Sequence, residues 1–305
     1  MKLPLKRSMI VAVALAGVLA GGASPASAIV GGQDATQKYP GMAAAQIVFP
    51  GLGTALCGAG LINPQWALTA AHCVSDQVAA PTPIAMPGAN VTLRIGSNDR
   101  TKGGQVVTGK RVYLYPGWTW GATWPVSPVA DLALVELAQP VQGPLMQLGT
   151  RQAPEGGAIR LIGWGLTEYP PAAGATAPTM LQERDTTRLP AAACAGGFIG
   201  TGDVCLGGGA CYGDSGGPAL RRGIRADAGT RPAWASVGIA SRETSADTPC
   251  GEPSVYTDPT YMPFRLWIWT TIRNRQHLPC TCPPVIATDA ARSARTNALK
   301  LHNIR

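Results

Sequence analysis

Apolar positions in this chain fall in short runs, each closed by glycine, proline or a small polar residue. Ala67-Leu68-Thr69-Ala70, Val91-Thr92-Leu93-Arg94-Ile95, Leu132-Ala133-Leu134-Val135, Ile159-Arg160-Leu161-Ile162 and Ser236-Val237-Gly238-Ile239 each read as a strand between turns. Helical periodicity is absent until about 260–275, where Phe264, Trp267, Ile268 and Ile272 fall at helical spacing. The pattern predicts an all-β sandwich or barrel with one terminal helix. Composition marks two loops, Ala79-Ala80-Pro81-Thr82-Pro83 and residues 169–178, the second rich in Pro, Ala and Gly. No internal repeat at a fixed period stands out.

One apolar run is of a different kind. Met9 to Ala20 carries no charge, follows Lys2, Lys6 and Arg7, and leads to the small residues Ala26-Ser27-Ala28. That is the layout of a secretory signal peptide over residues 1–28. The run is short for a bilayer core of ~30 Å, and no later segment is apolar enough to span one. The mature protein is therefore expected to be secreted and free of the membrane. Cleavage after Ala28 would leave Ile29-Val30-Gly31-Gly32 as the new N-terminus. Cleavage after Ala26 or Ala23 would leave a stub for a second protease to trim. Residues 29–277 read as one large domain, and residues 278–305, with prolines, polar and basic side chains, as a tail or tether.

Composition narrows the picture further. The 38 glycines and 27 prolines suit a fold of many turns. Basic residues exceed acidic ones, 25 to 17, but three of them leave with the leader and the rest are scattered. Arg221, Arg222 and Arg225 form the densest group, and no basic stripe is interleaved with aromatics, which argues against nucleic-acid binding. Eight cysteines in an exported chain read as disulfides rather than a metal cluster. Cys280 and Cys282 lack a close partner set beyond His277, so zinc is not expected.

Three segments bear chemistry: LTAAHC with His72, DLALVEL with Asp131 opening an apolar strand, and GDSGGP with Ser215 in a glycine-rich turn. Singly each is ordinary, since a histidine beside a cysteine or an aspartate at a strand start is usually structural. Together, in the order His, Asp, Ser, they resemble the chymotrypsin/trypsin-like serine protease family. IVGG at 29–32, CGAGLINPQWALTAAHC at 57–73, GWG at 163–165, CYGDSGGP at 211–218 and PSVYT at 253–257 extend the resemblance over roughly residues 29–275. The alanine-rich leader suits a bacterial secreted member.

The resemblance implies two packed six-stranded antiparallel β-barrels with a C-terminal helix, the active site lying in the cleft between them. It implies that Ser215 is the nucleophile, His72 its general base and Asp131 the group that fixes the imidazole tautomer. The backbone N–H groups of Gly213 and Ser215 would form the oxyanion hole. The disulfides it implies are Cys57–Cys73, Cys194–Cys205 and Cys211–Cys250. Cys280 and Cys282 have no counterpart, and either bond each other or reach another chain. The implied activation pair joins the α-amino group of a new N-terminus at Ile29 to Asp214.

Against that family the substrate pocket departs at several positions. Gly209 and Ala210 stand where a trypsin-like enzyme carries a pocket-bottom aspartate, so no charge is supplied for a basic side chain. Ser241 is followed by Arg242 and Glu243 instead of Trp-Gly, Ser254 replaces a glycine, and Tyr212 stands at the entrance. These changes predict a small or medium apolar residue before the scissile bond. Two other readings stay open: Glu243 recruits a basic side chain at the mouth, or Arg242 and Glu243 face solvent.

RIGSNDRTKGGQVV at 94–107 offers Asp99 but no pair of glutamates, so no metal is expected there, and no cofactor. Asn90-Val91-Thr92 is a formal glycosylation sequon whose use depends on the host. The leading expectation is a monomeric endopeptidase acting on proteins or peptides. The alternatives are a catalytically weak binding protein on the same fold and an esterase-like hydrolase.

Overall fold

A computed structural model describes residues 29–76, 83–119, 129–171, 176–223, 234–245, 247–248 and 250–276. The leader, most of the loop at 79–83, residues 172–175, and Cys280 and Cys282 with the tail lie outside the described residues. In chain order the first half holds β1 (Gln33–Asp34), β2 (Met42–Phe49), β3 (Gly53–Asn63), β4 (Trp66–Thr69), the short pair β5 (Ser75–Asp76) and β6 (Ile84–Ala85), β7 (Val91–Ile95), β8 (Gln105–Leu114) and β9 (Ala133–Leu137). The second half holds β10 (Gln147–Leu148), β11 (Ala158–Gly163), β12 (Gln182–Thr187), β13 (Asp203–Leu206), β14 (Pro218–Arg222), β15 (Trp234–Glu243), β16 (Ser254–Thr257) and the helix α1 (Met262–Gln276).

Strands β2, β3, β4, β9, β8 and β7 close into a barrel. Strand β7 shows the alternation that fills its interior: Val91, Leu93 and Ile95 are buried while Thr92 and Arg94 stand half-out. The strands of the second half, joined at one edge by β1 from the first, form an eight-stranded sheet in the order β1-β12-β11-β14-β15-β16-β13, with β10 added on β15. Its two expected barrel edges meet at a single bridge, Arg188 opposite Leu206, flanked by N–H bonds from Leu189 to Cys205 and from Gly207 to Thr187. The expectation of two closed barrels therefore holds for one, and the other half is a curled sheet touching itself at one point. Residue 188 lies just past the end of β12, so the seam has one bridge rather than a ladder.

The predicted helical stripe is realised in α1. Phe264 and Ile268 are buried in the core of the first barrel, with Trp267 and Ile272 packed against it. Phe264 meets Tyr115 and Tyr261 edge-on at ring separations of 4.8 and 5.2 Å. Among the described residues no helix is long and apolar enough to cross a membrane.

Candidate active site

Local geometry of the first barrel brings His72 and Asp131 together. Strands β4 and β9 pair antiparallel with Thr69 opposite Ala133, so the turn after β4 and the entry to β9 share one end of the barrel. His72 stands in the short 3-10 turn Ala71–Cys73 that follows, pinned by the disulfide Cys57–Cys73. Ala130 sits at φ +50°, and the Leu132 N–H reaches back to the Ala130 carbonyl at 2.8 Å, turning Asp131 inward. A non-glycine residue in that left-handed region costs about 1–2 kcal/mol, which the buried contacts of Asp131 must offset.

Asp131 is fully buried and saturated with donors. Its Oδ2 lies 2.7 Å from His72 Nδ1, its Oδ1 accepts the His72 backbone N–H at 2.9 Å, and Ser241 Oγ donates to Oδ2 at 2.7 Å. The Thr257 hydroxyl donates to the Asp131 carbonyl at 3.0 Å. Burial would raise the Asp131 pKa, but the charge and hydrogen bonds of His72 and the Ser241 hydroxyl outweigh it and hold the carboxyl below the ordinary value. Burial would in turn lower the His72 pKa. The charge and hydrogen bond of Asp131, followed by the charge of Glu243, overcome this and hold it above 6.5.

The second half supplies Ser215 on the loop between β13 and β14. Gly58 of β3 donates its N–H to the Ser215 carbonyl at 2.7 Å, and Gly216 donates to Ala240 of β15 at 2.8 Å, so this loop is clamped between the two halves. Gly216 is at φ +74°, and a Cβ there would stand 2.2 Å from Thr69 Oγ1 and 2.6 Å from the Gly58 carbonyl. Only glycine lets the serine loop approach the first barrel this closely. Gly213, at φ +101°, also needs glycine.

His72, Gly213 and Ser215 line one cleft of about 560 Å³. Ala210, Tyr212, Ser241, Arg242, Glu243 and Ser254 line it too. Gly209 does not: a Cβ there would point at Ile29 Cγ2, 2.9 Å away, and at Arg184. Of the two residues expected at the pocket bottom, Ala210 lines the cleft, as does Ser254. Tyr212 is half exposed, its ring 6.3 Å from that of Tyr169. Glu243 of β15 pairs with Ser254 of β16 and stands exposed at the rim.

Arg242 lines the cleft but is not a solvated charge, because its side chain is fully buried (0 % exposed). The pairing of β15 with β16 slips between Ala240 and Arg242, so Ser241 is an extra residue in the ladder. Both Ser241 and Arg242 then turn inward, where alternation would send one of them out. Arg242 Nη2 pairs with Asp203 Oδ2 at 2.5 Å and donates to the Phe198 carbonyl at 3.1 Å; Nε donates to the Gly197 carbonyl at 2.7 Å; Nη1 donates to Ser241 Oγ at 3.2 Å. Asp203 was not singled out by any sequence signal, since its partner lies 39 positions away.

Ile29 is buried at φ +62°, with the Val30 N–H bonded to the Gly209 carbonyl at 2.8 Å. Arg184 donates to the Val30 carbonyl. Asp214 is buried within the serine loop, where its carboxylate accepts the N–H groups of Gly165 at 2.8 Å and Cys211 at 2.9 Å. Burial outweighs these two bonds and pushes its pKa up to about 7. A Cβ at Gly163 or Gly165 would stand 2.0 or 2.3 Å from an Asp214 oxygen, which gives the glycines of GWG their reason.

The disulfides Cys57–Cys73, Cys194–Cys205 and Cys211–Cys250 are all formed. Asp99 is occupied locally by the Thr101 hydroxyl at 2.6 Å and Thr101 N–H at 2.8 Å, and lies 3.5 Å from Lys102.

Residues 29–268 match the family described as Trypsin. The chain is 30 % identical over 242 residues to a trypsin-like protease of Streptomyces glaucescens, covering 75 % of this chain and 78 % of that protein. It is 29 % identical over 191 residues to Trypsin 5G1 of Aedes aegypti, covering 57 % of this chain and 64 %, less than two thirds, of that protein's length. It is 30 % identical over 208 residues to chymotrypsin-like elastase family member 1 of Canis lupus familiaris, covering 62 % of this chain and 74 % of the other. These relatives come from bacterium, insect and mammal, so they do not single out the bacterial origin that the leader suggested. Among solved structures, the scabies mite inactivated protease paralogue S-D1 shares the fold at a TM-score of 0.61 and 22 % identity, over 81 % of this chain and 98 % of its own.

Proposed function

The chain belongs to the trypsin family, and on that premise we propose that it is a secreted, monomeric serine endopeptidase acting on protein or peptide substrates. The observation that carries the reading is the buried Asp131 held 2.7 Å from His72 Nδ1, in a cleft that His72 shares with Ser215. His72 Nε2 takes the Ser215 Oγ proton as Oγ attacks the scissile carbonyl, and Asp131 stabilises the imidazolium as it forms. The N–H groups of Gly213 and Ser215 receive the oxyanion. The imidazolium then protonates the leaving amine; in the second half water, deprotonated by His72, attacks the acyl carbon, and the proton passes from His72 to Ser215 Oγ as the acyl C–Oγ bond breaks.

Ala210 and Ser254 line the cleft with small side chains, and the carboxylate that lines it, Glu243, stands exposed at the rim, which supports a small or medium apolar side chain before the cleaved bond. Signal peptidase cutting after Ala28 would free the Ile29 amine, and this ammonium would pair with Asp214. Export and activation are then one event.

Labelling with a fluorophosphonate probe tests the enzyme reading: the secreted protein is expected to label and Ser215→Ala to remain unlabelled. A secreted protein that does not label instead favours a binding protein on the same fold. A chromogenic peptide panel varied only at the residue before the cleaved bond tests the pocket, and preference for Arg or Lys would overturn the apolar assignment.

A further inference from the structure

We propose that Arg242 is a positioning residue for the catalytic carboxylate, acting by fixing which way the Ser241 hydroxyl donates. The inference rests on the protease reading above. Ser241 has one proton and two lone pairs. Arg242 Nη1, which can only donate, occupies one lone pair at 3.2 Å, and the Ser241 proton goes to Asp131 Oδ2 at 2.7 Å. The guanidinium itself is held on three other sides by Asp203 Oδ2 and by the carbonyls of Gly197 and Phe198. Asp203 is anchored in turn by the Gly200 N–H at 3.0 Å. The chain Asp203–Arg242–Ser241–Asp131–His72 is thus continuous: one guanidinium nitrogen donates to Asp203, another to Ser241 Oγ, and that hydroxyl donates on to the Asp131 carboxylate.

An ion pair serving only to satisfy Asp203 would use one face of the guanidinium and place no constraint on Ser241. Here the fork spends a separate nitrogen on the hydroxyl, and the slip in β15 is what makes residues 241 and 242 share the interior. Arg242 does not touch substrate in this role. It acts on Asp131 through Ser241, and so on the orientation of His72 during proton transfer.

The test uses the full-length secreted protein and three changes: Ser241→Ala, the charge-neutral pair Asp203→Asn with Arg242→Met, and Arg242→Lys. Arg242→Met alone would strand a buried carboxylate, so the paired change keeps the fold testable. Arg242→Lys keeps both charges but places one nitrogen where the fork has three, and provides the same test if the neutral pair does not fold. Each variant, folded by circular dichroism, is expected to lose about tenfold in kcat with KM unchanged. Added to Ser241→Ala, the Arg242 changes are expected to cause no further loss, because they act through that hydroxyl. Unchanged kcat, a loss confined to KM, or losses that multiply with Ser241→Ala would each overturn the proposal while leaving the enzyme reading intact. Wild-type protein that neither labels with fluorophosphonate nor cleaves any peptide overturns the enzyme reading, and this proposal with it.

Discussion

Glu243 is an exposed side chain whose charge reaches His72. After burial, which works in the opposite direction, and the closer Asp131, it is the remaining cause that holds the His72 pKa above its ordinary value. A general base works only when deprotonated, so a raised pKa moves the acid limb of the kcat/KM profile to higher pH. Glu243→Gln is expected to shift that limb back to lower pH, and high salt to mimic part of the effect, as read from the pH profile of a peptide substrate. At the buried end of the site, Gly165→Ala puts a methyl 2.3 Å from the Asp214 carboxylate. Overpacking of that kind costs about 1–3 kcal/mol, which chemical denaturation would record as a lower midpoint. The motif GWG was visible in the sequence, but its reason was not, because the crowding comes from an aspartate 49 positions away.

Elements were legible where one face of a strand or helix meets the core. The run Val91–Ile95 and the stripe of Phe264 and Ile268 appear in the structure as read, since burial alone dictates those patterns. Arg242 was not legible, because a one-residue slip in a β-ladder leaves no local signature and reverses which side chains face inward. The surroundings of Gly209 were not legible either: a Cβ there would meet Ile29 and Arg184, which lie far away in the sequence. At this scale the helix gives a clean contrast. Phe264→Ala, in the barrel core, should cost about 3–5 kcal/mol in thermal or denaturant unfolding. Trp269→Ala, at 61 % exposure, should fall within about 0.5 kcal/mol of wild type. Removing the Cys57–Cys73 bridge by a double alanine change should cost about 2–4 kcal/mol and reduce activity as well, since His72 sits in the turn it pins.

For the whole molecule, the joined and cut chains should respond to pH differently. In the joined chain the nitrogen of Ile29 is a peptide amide and offers Asp214 no charge. Its carboxyl has a pKa of about 7 when folded, against 3.8 ordinarily. Between those values the folded chain keeps a proton that the unfolded chain has lost. Stability therefore falls as pH rises from about 4 to about 7, by on the order of 4 kcal/mol for this group. A Ser215→Ala protein with residue 28 still attached should melt at a lower temperature at pH 8 than at pH 5, and Asp214→Asn should remove most of that slope. In the cut chain the arriving ammonium would favour the carboxylate and reverse the trend. The backbone of Ile29 adds a consequence of its own. A β-branched residue at φ +62° is strained by about 1–2 kcal/mol, and that torsion is defined by the carbonyl carbon of the residue before it. Hydrolysing the bond deletes the torsion, so the strain has nowhere to reside afterwards. Cleavage there would then work as a ratchet tooth: the released end would settle without that strain, and rejoining the chain would mean climbing back over a conformational step that only the uncut polypeptide contains.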